Sequence, residues 1–275
     1  MSKFEKEQVF NYPSVLIAGY GQIGKVLKQE FTFAETYDPD VDMGADYVSP
    51  PEKEFEYCFI CVPTPMLKDG KCDTHYVKQV INQINSPLFI IRSTIPPGTT
   101  EYLNDVFRMD GKHVVFIPEY EGVTQHVTKK NWVAIGTSSS RDYHAVRQLY
   151  ELVHNGYFEF VRTSAKEAEI AKYMENCFLA MKVVFCNEFA ALCKEEGVLY
   201  ENARDIFVRD DRIGPSHTFV YDDYPGYDSK CFNKDLPAIV AYAESKSVTL
   251  NLVEATMYSN KKLRAPKPQI LTYEE

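Results

Sequence analysis

The chain has 275 residues, of which 25% are charged, and a net charge of −9 at pH 7. This composition is typical of a soluble globular protein, and the length is sufficient for two domains. The acidic balance argues against binding to nucleic acid or to an anionic membrane surface, because both need clustered Lys and Arg.

Neither a membrane span nor a secretory signal is predicted. No run of about 18 apolar residues is visible, and the polar N-terminus lacks the apolar core of a signal peptide. The seven cysteines are an odd number spread along the chain, which favours reduced thiols over a disulfide framework. We therefore expect a cytoplasmic protein with no membrane partner.

Residues 1–160 alternate short apolar runs with amphipathic segments. The runs are rich in Val, Ile and Phe and mostly lack period-two alternation, which is typical of strands covered on both faces. The predicted strands are 15–18, 57–62, 88–92, 113–117, 132–135 and 158–161, and the predicted helices lie near 22–31, 73–83, 99–107 and 140–153. This order predicts an α/β domain, a doubly wound parallel sheet of the Rossmann type.

The pattern changes after residue 160, where we place the domain boundary. Residues 164–196 contain neither Pro nor Gly, Ser164 and Glu167 form a capping-box signature, and Gly197 suits the C-terminal cap. One long helix is therefore predicted, and a helix of this length usually spans a domain or an oligomer interface. Residues 161–275 are expected to form a mainly helical domain built on it, with an extended tail from about 261.

A glycine-rich turn follows the first predicted strand. Gly19, Gly21 and Gly24, with Gln22 and Ile23 between the last two, form GxGxxG between a strand and a helix. The first glycine permits the tight turn, the second permits close approach of a pyrophosphate, and the third permits close packing of helix on strand. The helix N-terminus would then face the phosphates with its partial positive charge.

Asp38 ends the next apolar segment and supports a choice of cofactor. A carboxylate at this position can accept hydrogen bonds from the adenosine ribose and would repel a 2′-phosphate. NAD is therefore preferred over NADP, although a plain glycine turn would leave the same pattern.

Cys231 lies between Lys230 and Lys234, ahead of a helix that Asp235 could cap and whose first turn could hold Pro237. Nearby cations and a helix N-terminus favour the thiolate. A thiolate within reach of a nicotinamide suggests covalent catalysis on an aldehyde. Taken alone, a single cysteine is more often structural than catalytic.

Four polar residues fall on one stripe of the long predicted helix: Glu169, Lys172, Asn176 and Asn187. The stripe is either a solvated face or the wall of an active site. In the second case Lys172 and Asn176, four residues apart, could hold one water or one developing oxyanion.

Seven segments of the chain, in order, resemble motifs of the UDP-glucose/GDP-mannose 6-dehydrogenases, which are NAD-dependent four-electron oxidoreductases. They are CVPTP at 61–65 followed by Asp73, STIPPGTT at 93–100, PE at 118–119, AEIAKYMEN at 168–176, NE at 187–188, RIG at 212–214 and CFNKD at 231–235. The ordered set is far more specific than any single motif.

The resemblance implies a role for each matching residue. Cys231 would capture the 6-aldehyde as a thiohemiacetal and pass through a thioester to the acid, while Lys172 and Asn176 stabilise the oxyanions. Asp235 would act with Thr94 and Glu119 on water and protons, and its alternative role is the helix cap. The implied cofactor-binding residues are Gly19, Gly21, Gln22, Ile23, Gly24, Asp38, Val62, Pro63, Thr64 and Thr94, and the implied substrate-binding residues are Glu119, Lys172, Asn176, Arg212 and Cys231.

The family resemblance also implies a homodimer. The helix over 164–196 would form the dimer core, and Arg212 would reach the sugar nucleotide of the neighbouring subunit.

The sequence departs from the family pattern in three places. The chain after Cys231 is too short for the family's third, nucleotide-binding domain, so most groups that would grip the nucleotide are expected to be absent. Asp228 stands in the loop that reads GFGGSC in the family. The segment PEYEG at 118–122 is shorter than the family's PEFLREG, so the second Glu of that loop has no clear counterpart.

Three functions stay open from the sequence. The first is oxidation of a primary alcohol of a sugar or nucleotide sugar to the acid through Cys231. The second is a two-electron 3-hydroxyacid or 6-phosphogluconate-type dehydrogenase, in which Cys231 is incidental. The third is a non-catalytic NAD-binding or scaffold protein derived from the family, an alternative that Asp228 and the short C-terminal part motivate.

Overall fold

The structure is a computed structural model that describes residues 12–120, 131–154 and 156–265. The chain divides into two compact units. The first consists of residues 12–64, 74–120 and 131–170 of the described chain, and the second contains 65–73 and the chain from 171 onward. The break falls within the long helix, about ten residues beyond the boundary expected from the sequence.

The first unit is built on a seven-stranded sheet with the order β2-β1-β3-β4-β5-β6-β7. The strands are β1 (Val15–Ala18), β2 (Glu35–Tyr37), β3 (Tyr57–Ile60), β4 (Leu88–Ile91), β5 (His113–Phe116), β6 (Trp132–Gly136) and β7 (Glu159–Thr163). The helices of this unit are α1 (Gln22–Glu30), α2 (His75–Gln83), α3 (Thr99–Phe107) and α4 (Ser140–Glu151), and α5 (Ala165–Glu195) begins in it. The α/β class and every strand predicted from the sequence are confirmed.

The sheet is parallel except at one edge. β6 pairs with β5 in the antiparallel sense and β7 pairs with β6 in the parallel sense, so the last two strands run against the other five. The strand order reverses between β1 and β3, and this switch point is where doubly wound sheets bind ligands, beyond the carboxyl ends of the strands. Beyond β2, one isolated parallel bridge joins Tyr37 to Tyr47.

Two apolar cores cover the two faces of the sheet. Cys58 belongs to one core, and Cys61 packs against the other, so the CxxC pair points to opposite sides of the sheet as strand alternation requires. Both are free thiols, and burial raises the pKa of Cys61 to about 12.

The second unit is helical and is built from most of α5 together with α6 (Tyr200–Phe207), α7 (Lys230–Glu244) and α8 (Asn251–Leu263). Its apolar core is small and joins Ala180 and Val184 of α5 to Tyr227, Phe232 and Leu236. The tail expected from 261 overlaps the last turn of α8, and residues 266–275 lie outside the described residues.

The start of α7 differs from the expectation. The helix begins at Lys230 rather than near Asp235, and Ser229 caps it by accepting a hydrogen bond from the Phe232 amide over 3.0 Å. Asp235 and Pro237 therefore lie inside the helix. The predicted cap role of Asp235 is wrong, because the serine ahead of the cysteine already supplies the cap.

Helix α5 is long and apolar. Within the described chain it is the one helix whose length and composition would allow it to cross a membrane. Of its most apolar 18-residue stretch, 28% is buried inside this chain. This is weak evidence, because a long helix at the centre of a protein meets the same criteria. The absence of a membrane partner stays a prediction.

Candidate active site

The glycine loop after β1 is closely packed at its first and third glycines and open at its second. A Cβ on Gly19 would lie 2.6 Å from the Cys61 carbonyl oxygen, and a Cβ on Gly24 would lie 2.1 Å from the Gly19 carbonyl oxygen. Both glycines are therefore required by the close packing of this loop. A Cβ on Gly21 would meet nothing within 4 Å, so the second glycine faces open space.

The N-terminus of α1 is available for an anion. Gly21 is the N-cap and offers no side-chain hydrogen bond, and the first turn, which includes Gln22 and Ile23, holds no acidic residue. The amide groups of this turn and the helix dipole would therefore favour a phosphate group. Together with the open face of Gly21, this arrangement fits a dinucleotide pyrophosphate.

Asp38 follows β2 directly and lies beside the glycine loop. One carboxylate oxygen accepts a hydrogen bond from the Tyr20 amide over 2.7 Å, and the other accepts one from the Asp40 amide over 3.0 Å. These bonds fix the carboxylate at the carboxyl edge of the sheet. It is half-buried, so it retains an accessible edge for ribose hydroxyls.

The ends of β3 and β4 meet at the same edge. The Thr64 hydroxyl donates to the Thr94 carbonyl over 2.8 Å, and the Ser93 hydroxyl donates to the Val62 carbonyl over 2.7 Å. The structure therefore brings Val62, Thr64 and Thr94 together, and Pro63 lies exposed between the first two.

The Glu119 carboxylate is buried and ion-paired, which the sequence did not indicate. It is buried at the end of β5, and its carboxylate pairs with the buried guanidinium of Arg92, which also donates to the Tyr150 hydroxyl over 3.2 Å. Sequence reasoning missed Arg92. Its position directly before the STIPPGTT segment, at the end of a buried strand, is the signal that could have found it.

In the second unit, α5 and α7 meet through two of the predicted catalytic residues. Asn176 Nδ2 donates to Asp235 Oδ2 over 2.7 Å, and Lys234 Nζ lies 2.5 Å from Asp235 Oδ1. Asp235 is 1% exposed and Asn176 is 4% exposed. Both carboxylate oxygens are thus engaged, which is the arrangement a buried charge requires.

Lys172 lies one turn before Asn176 on α5 and is 9% exposed. Its ammonium pairs with the Glu175 carboxylate over 2.6 Å. The interpretation of the polar stripe as a solvated face is wrong, because Glu169, Lys172, Asn176 and Asn187 are all buried.

Glu169 belongs to the first unit and has a structural role. Its carboxylate accepts hydrogen bonds from the Gly98 amide and from the amide and hydroxyl of Thr100, at the start of α3. Burial raises its pKa despite these bonds. Glu169 thus ties the beginning of α5 to α3.

Cys231 is the second residue of α7 and is the exposed cysteine among the seven. It precedes Asp235 by one helical turn, so the two share a face of the helix. Cys177 is less suited to be a nucleophile, because burial and the nearby charge of Asp235 raise its pKa to about 12.

Arg212 lies in an exposed loop, where its guanidinium forms a two-pronged contact with the Asp210 carboxylate at 2.6–3.2 Å. The loop is fixed from α5, because Lys182 Nζ donates to the carbonyls of Ile213 and Gly214 over 3.0 and 3.1 Å. Sequence reasoning missed Lys182. Lys182 holds a loop that lies about thirty residues further along the chain, so the local sequence gives no sign of this contact.

Asp228 is neutralised rather than free. Its carboxylate accepts from Asn233 Nδ2 over 2.7 Å and pairs with the Arg264 guanidinium over 3.1 Å. The described residues contain no group of three or more His, Cys, Asp or Glu that could hold a metal ion. The residues predicted to act in the described part of this unit supply a thiol, an ammonium, an amide and a buried carboxylate.

Two domain models of one family match the chain in order. The NAD binding domain of the UDP-glucose/GDP-mannose dehydrogenase family matches residues 39–154, and the central domain of the same family matches residues 166–262. The chain belongs to the UDP-glucose/GDP-mannose dehydrogenase family. Its first unit is an NAD-binding domain, and NAD is its cofactor. The glycine loop and Asp38 precede the matched residues, so their assignment depends on the geometry described above.

Curated members of the UDP-glucose/GDP-mannose dehydrogenase family are similar to most of this chain. UDP-glucose 6-dehydrogenase of Pseudomonas aeruginosa is 33% identical over an alignment of 227 positions that covers 76% of this chain and 49% of that protein. UDP-glucose 6-dehydrogenase TuaD of Bacillus subtilis is 31% identical over an alignment of 219 positions that covers 75% of this chain and 46% of that protein. The chain therefore spans about half the length of the curated relatives it matches.

Solved structures show the same fold. The UDP-glucose dehydrogenase of the archaeon Pyrobaculum islandicum superposes with a TM-score of 0.77 at 23% identity, over 93% of this chain and 69% of that one. The 3-hydroxyisobutyrate dehydrogenase of Mycobacterium tuberculosis has a TM-score of 0.66 at 17% identity, over 91% of this chain and 93% of that one. At these identities the similarity concerns the fold alone.

Proposed function

We propose that the protein is an NAD-dependent oxidoreductase that oxidises a primary alcohol of a sugar or nucleotide sugar to the acid. The observation that carries this proposal is the Asn176–Asp235 hydrogen bond, which joins the helix of the Lys172–Asn176 pair to the helix of Cys231. The substrate class comes from the relatives, whose names identify them as UDP-glucose 6-dehydrogenases.

NAD, when bound, accepts the hydride in each of the two oxidations. Cys231 Sγ adds to the carbon of the aldehyde formed first, and a C–S bond replaces the carbonyl π bond. Lys172 and Asn176 donate to the oxygen that becomes negative. Loss of the second hydride from the same carbon leaves a thioester on Cys231.

Hydrolysis completes the reaction. Water adds to the thioester carbon, Asp235 accepts its proton, and the C–S bond breaks to return the thiolate of Cys231. Each alcohol therefore consumes two NAD⁺ and one water and yields one carboxylic acid, two NADH and two protons. Arg212 is proposed to contact the substrate of a neighbouring subunit.

We further propose a homodimer that forms through α5, in the cytoplasm. The apolar side chains Met174, Phe178, Phe185, Phe189 and Leu192 are 44–66% exposed. At about 100° per residue they fall roughly opposite Lys172 and Asn176 on the helix. A large apolar stripe of this kind is typical of a subunit interface, and the free cysteines agree with a reducing compartment.

The experiment is a stoichiometric assay of the full chain with NAD and UDP-glucose. We expect about two NADH per acid, and we expect Cys231→Ala to form no acid. One NADH per turnover with an active Cys231→Ala variant would instead favour a two-electron dehydrogenase. NAD binding without turnover on any alcohol or nucleotide sugar would favour the non-catalytic alternative.

A further inference from the structure

The backbone shortly before Cys231 is held by two buried asparagines. The Gly226 amide donates to Asn187 Oδ1 on α5 over 3.0 Å. The Tyr227 amide donates to Asn260 Oδ1 on α8 over 2.8 Å, and Asn260 Nδ2 donates back to the Tyr227 carbonyl over 3.0 Å. Side chains from two helices thus engage two successive residues of one loop.

Gly226 and Asn260 fit each other sterically. Gly226 has a φ of +71°, a conformation that favours glycine. A Cβ at this position would lie 2.4 Å from Asn260 Oδ1, closer than any side-chain atom can approach. The loop therefore passes directly beneath the Asn260 amide, and Asn260 and Asn187 are 8% and 6% exposed.

The held loop leads directly into the first turn of α7. The Tyr227 ring contacts the Phe232 ring edge-on, with centroids 5.4 Å apart, and both rings belong to the core that includes Leu236. Ser229, between them, caps the helix. A displacement of Tyr227 would therefore move the turn that carries Cys231.

We propose that Asn260, assisted by Asn187, is a positioning residue for Cys231. It fixes the backbone of Gly226–Tyr227 and thereby the place of the Cys231 sulfur at the N-terminus of α7. The catalytic consequence depends on the proposed function, in which Cys231 is the nucleophile. The geometric consequence for the thiol does not depend on it.

Asn260→Asp is the informative substitution, because it preserves the size of the side chain and the acceptor for the Tyr227 amide but removes the donor to the Tyr227 carbonyl. Asn187→Leu is a second variant that removes the acceptor for the Gly226 amide. Asn104→Asp is the matched control, because Asn104 forms the same two-way clamp with the backbone of Val114 in the first unit, at 2.8 and 2.9 Å. Cooperative urea unfolding identifies the variants that are folded.

Two readouts are measured on the full chain. The first is the rate at which iodoacetamide alkylates Cys231, followed by mass spectrometry of its peptide, and the second is kcat and KM for NADH formation from NAD and UDP-glucose. We expect Asn260→Asp and Asn187→Leu to slow alkylation about three- to tenfold, because a loosened first turn no longer holds the exposed sulfur in its place at the N-terminus of α7. We expect kcat to fall about tenfold or more, with the KM for NAD unchanged.

The control separates positioning from general destabilisation. Asn104→Asp should leave the alkylation rate and kcat within about twofold of the parent even where it lowers stability equally. Unchanged alkylation in folded Asn260→Asp and Asn187→Leu, or equal slowing in Asn104→Asp, would overturn the proposal. If the parent chain forms no NADH, the proposed function fails, while the alkylation arm still decides whether Asn260 positions the thiol.

Discussion

Asn176 and Asp235 form a buried hydrogen bond of 2.7 Å between α5 and α7. Lys172 precedes Asn176 by one turn, and Cys231 precedes Asp235 by one turn. The bond therefore sets the register between the helix that carries the proposed oxyanion donors and the helix that carries the proposed nucleophile.

Replacing Asn176 by Asp should destabilise the second unit. Two carboxylates would then share a buried site, and one would have to be protonated or leave it. We expect a loss of about 2 kcal/mol in the free energy of unfolding at pH 7. The loss should shrink as the pH falls toward the ordinary pKa of an aspartate carboxyl, about 3.9, because a proton on the introduced carboxyl removes the repulsion and restores a donor. Urea unfolding at several pH values measures this, and a pH-independent loss would contradict it.

Two of the three glycines of the cofactor loop, Gly24 and Gly21, should respond differently to substitution. Gly24→Ala should cost about 1–3 kcal/mol of stability, because its Cβ would collide with the Gly19 carbonyl. Gly21→Ala should change stability by less than about 0.5 kcal/mol but weaken NAD binding about tenfold or more, because its Cβ enters the space proposed for the pyrophosphate. Thermal unfolding and calorimetric titration with NAD measure the two effects. Unchanged NAD affinity in Gly21→Ala would place the pyrophosphate elsewhere.

Glu167 should make stability depend on pH in the acid range. Hydrogen bonds from the Ser164 amide and from the hydroxyls of Thr163 and Ser164 lower its pKa to about 2. A carboxyl with a depressed pKa stabilises the fold fully above its unfolded value and loses that contribution as the pH falls through its folded value. The contribution should therefore disappear between about pH 4.5 and pH 2. Glu167→Gln, which can still cap, should reduce this part of the pH dependence, and an NMR titration of Glu167 near its ordinary value would contradict the account.

A charge in the apolar stripe of α5 should separate the proposed dimer. Phe185→Glu places a carboxylate within the exposed face that includes Phe178 and Phe189, and burying it in an interface would cost far more than leaving it in water. We expect a folded monomer by sedimentation velocity, while the parent sediments as a dimer. Tyr157→Glu is the control, because Tyr157 is an exposed aromatic residue of the first unit that lies outside α5. A monomeric parent, or a Phe185→Glu variant that remains dimeric, would contradict the interface.

The first unit could be predicted from the sequence almost to the residue. Its strands are apolar on both faces, so runs such as 88–92 stand out, and the glycine turn fixes the carboxyl edge of the sheet. The three-residue strand β2 and the antiparallel direction of β6 left no comparable signal, because both depend on which neighbour a short strand pairs with.

The second unit was less predictable because its decisive contacts join distant parts of the chain. The sequence placed Lys172 and Asn176 on one face of a helix but could not show whether that face was exposed to solvent or buried. It also started α7 too late, because Asp235 and Pro237 resemble a helix start as well as Ser229 does. Asn260 carries no local pattern, and neither the polar stripe nor the NE motif that includes Asn187 shows that this residue holds the loop before Cys231.

The central claim is that Cys231 forms the covalent intermediate, and intact-protein and peptide mass spectrometry test it most directly. Asp235→Asn, mixed with NAD and UDP-glucose and quenched in acid, should accumulate the acyl thioester of the oxidised sugar on the Cys231 peptide, because hydrolysis loses its base while hydride transfer continues. The parent should show far less adduct, and Cys231→Ala should show none. Formation of acid by the parent with no adduct on Cys231 in Asp235→Asn, or an adduct on Cys177 instead, would contradict the account.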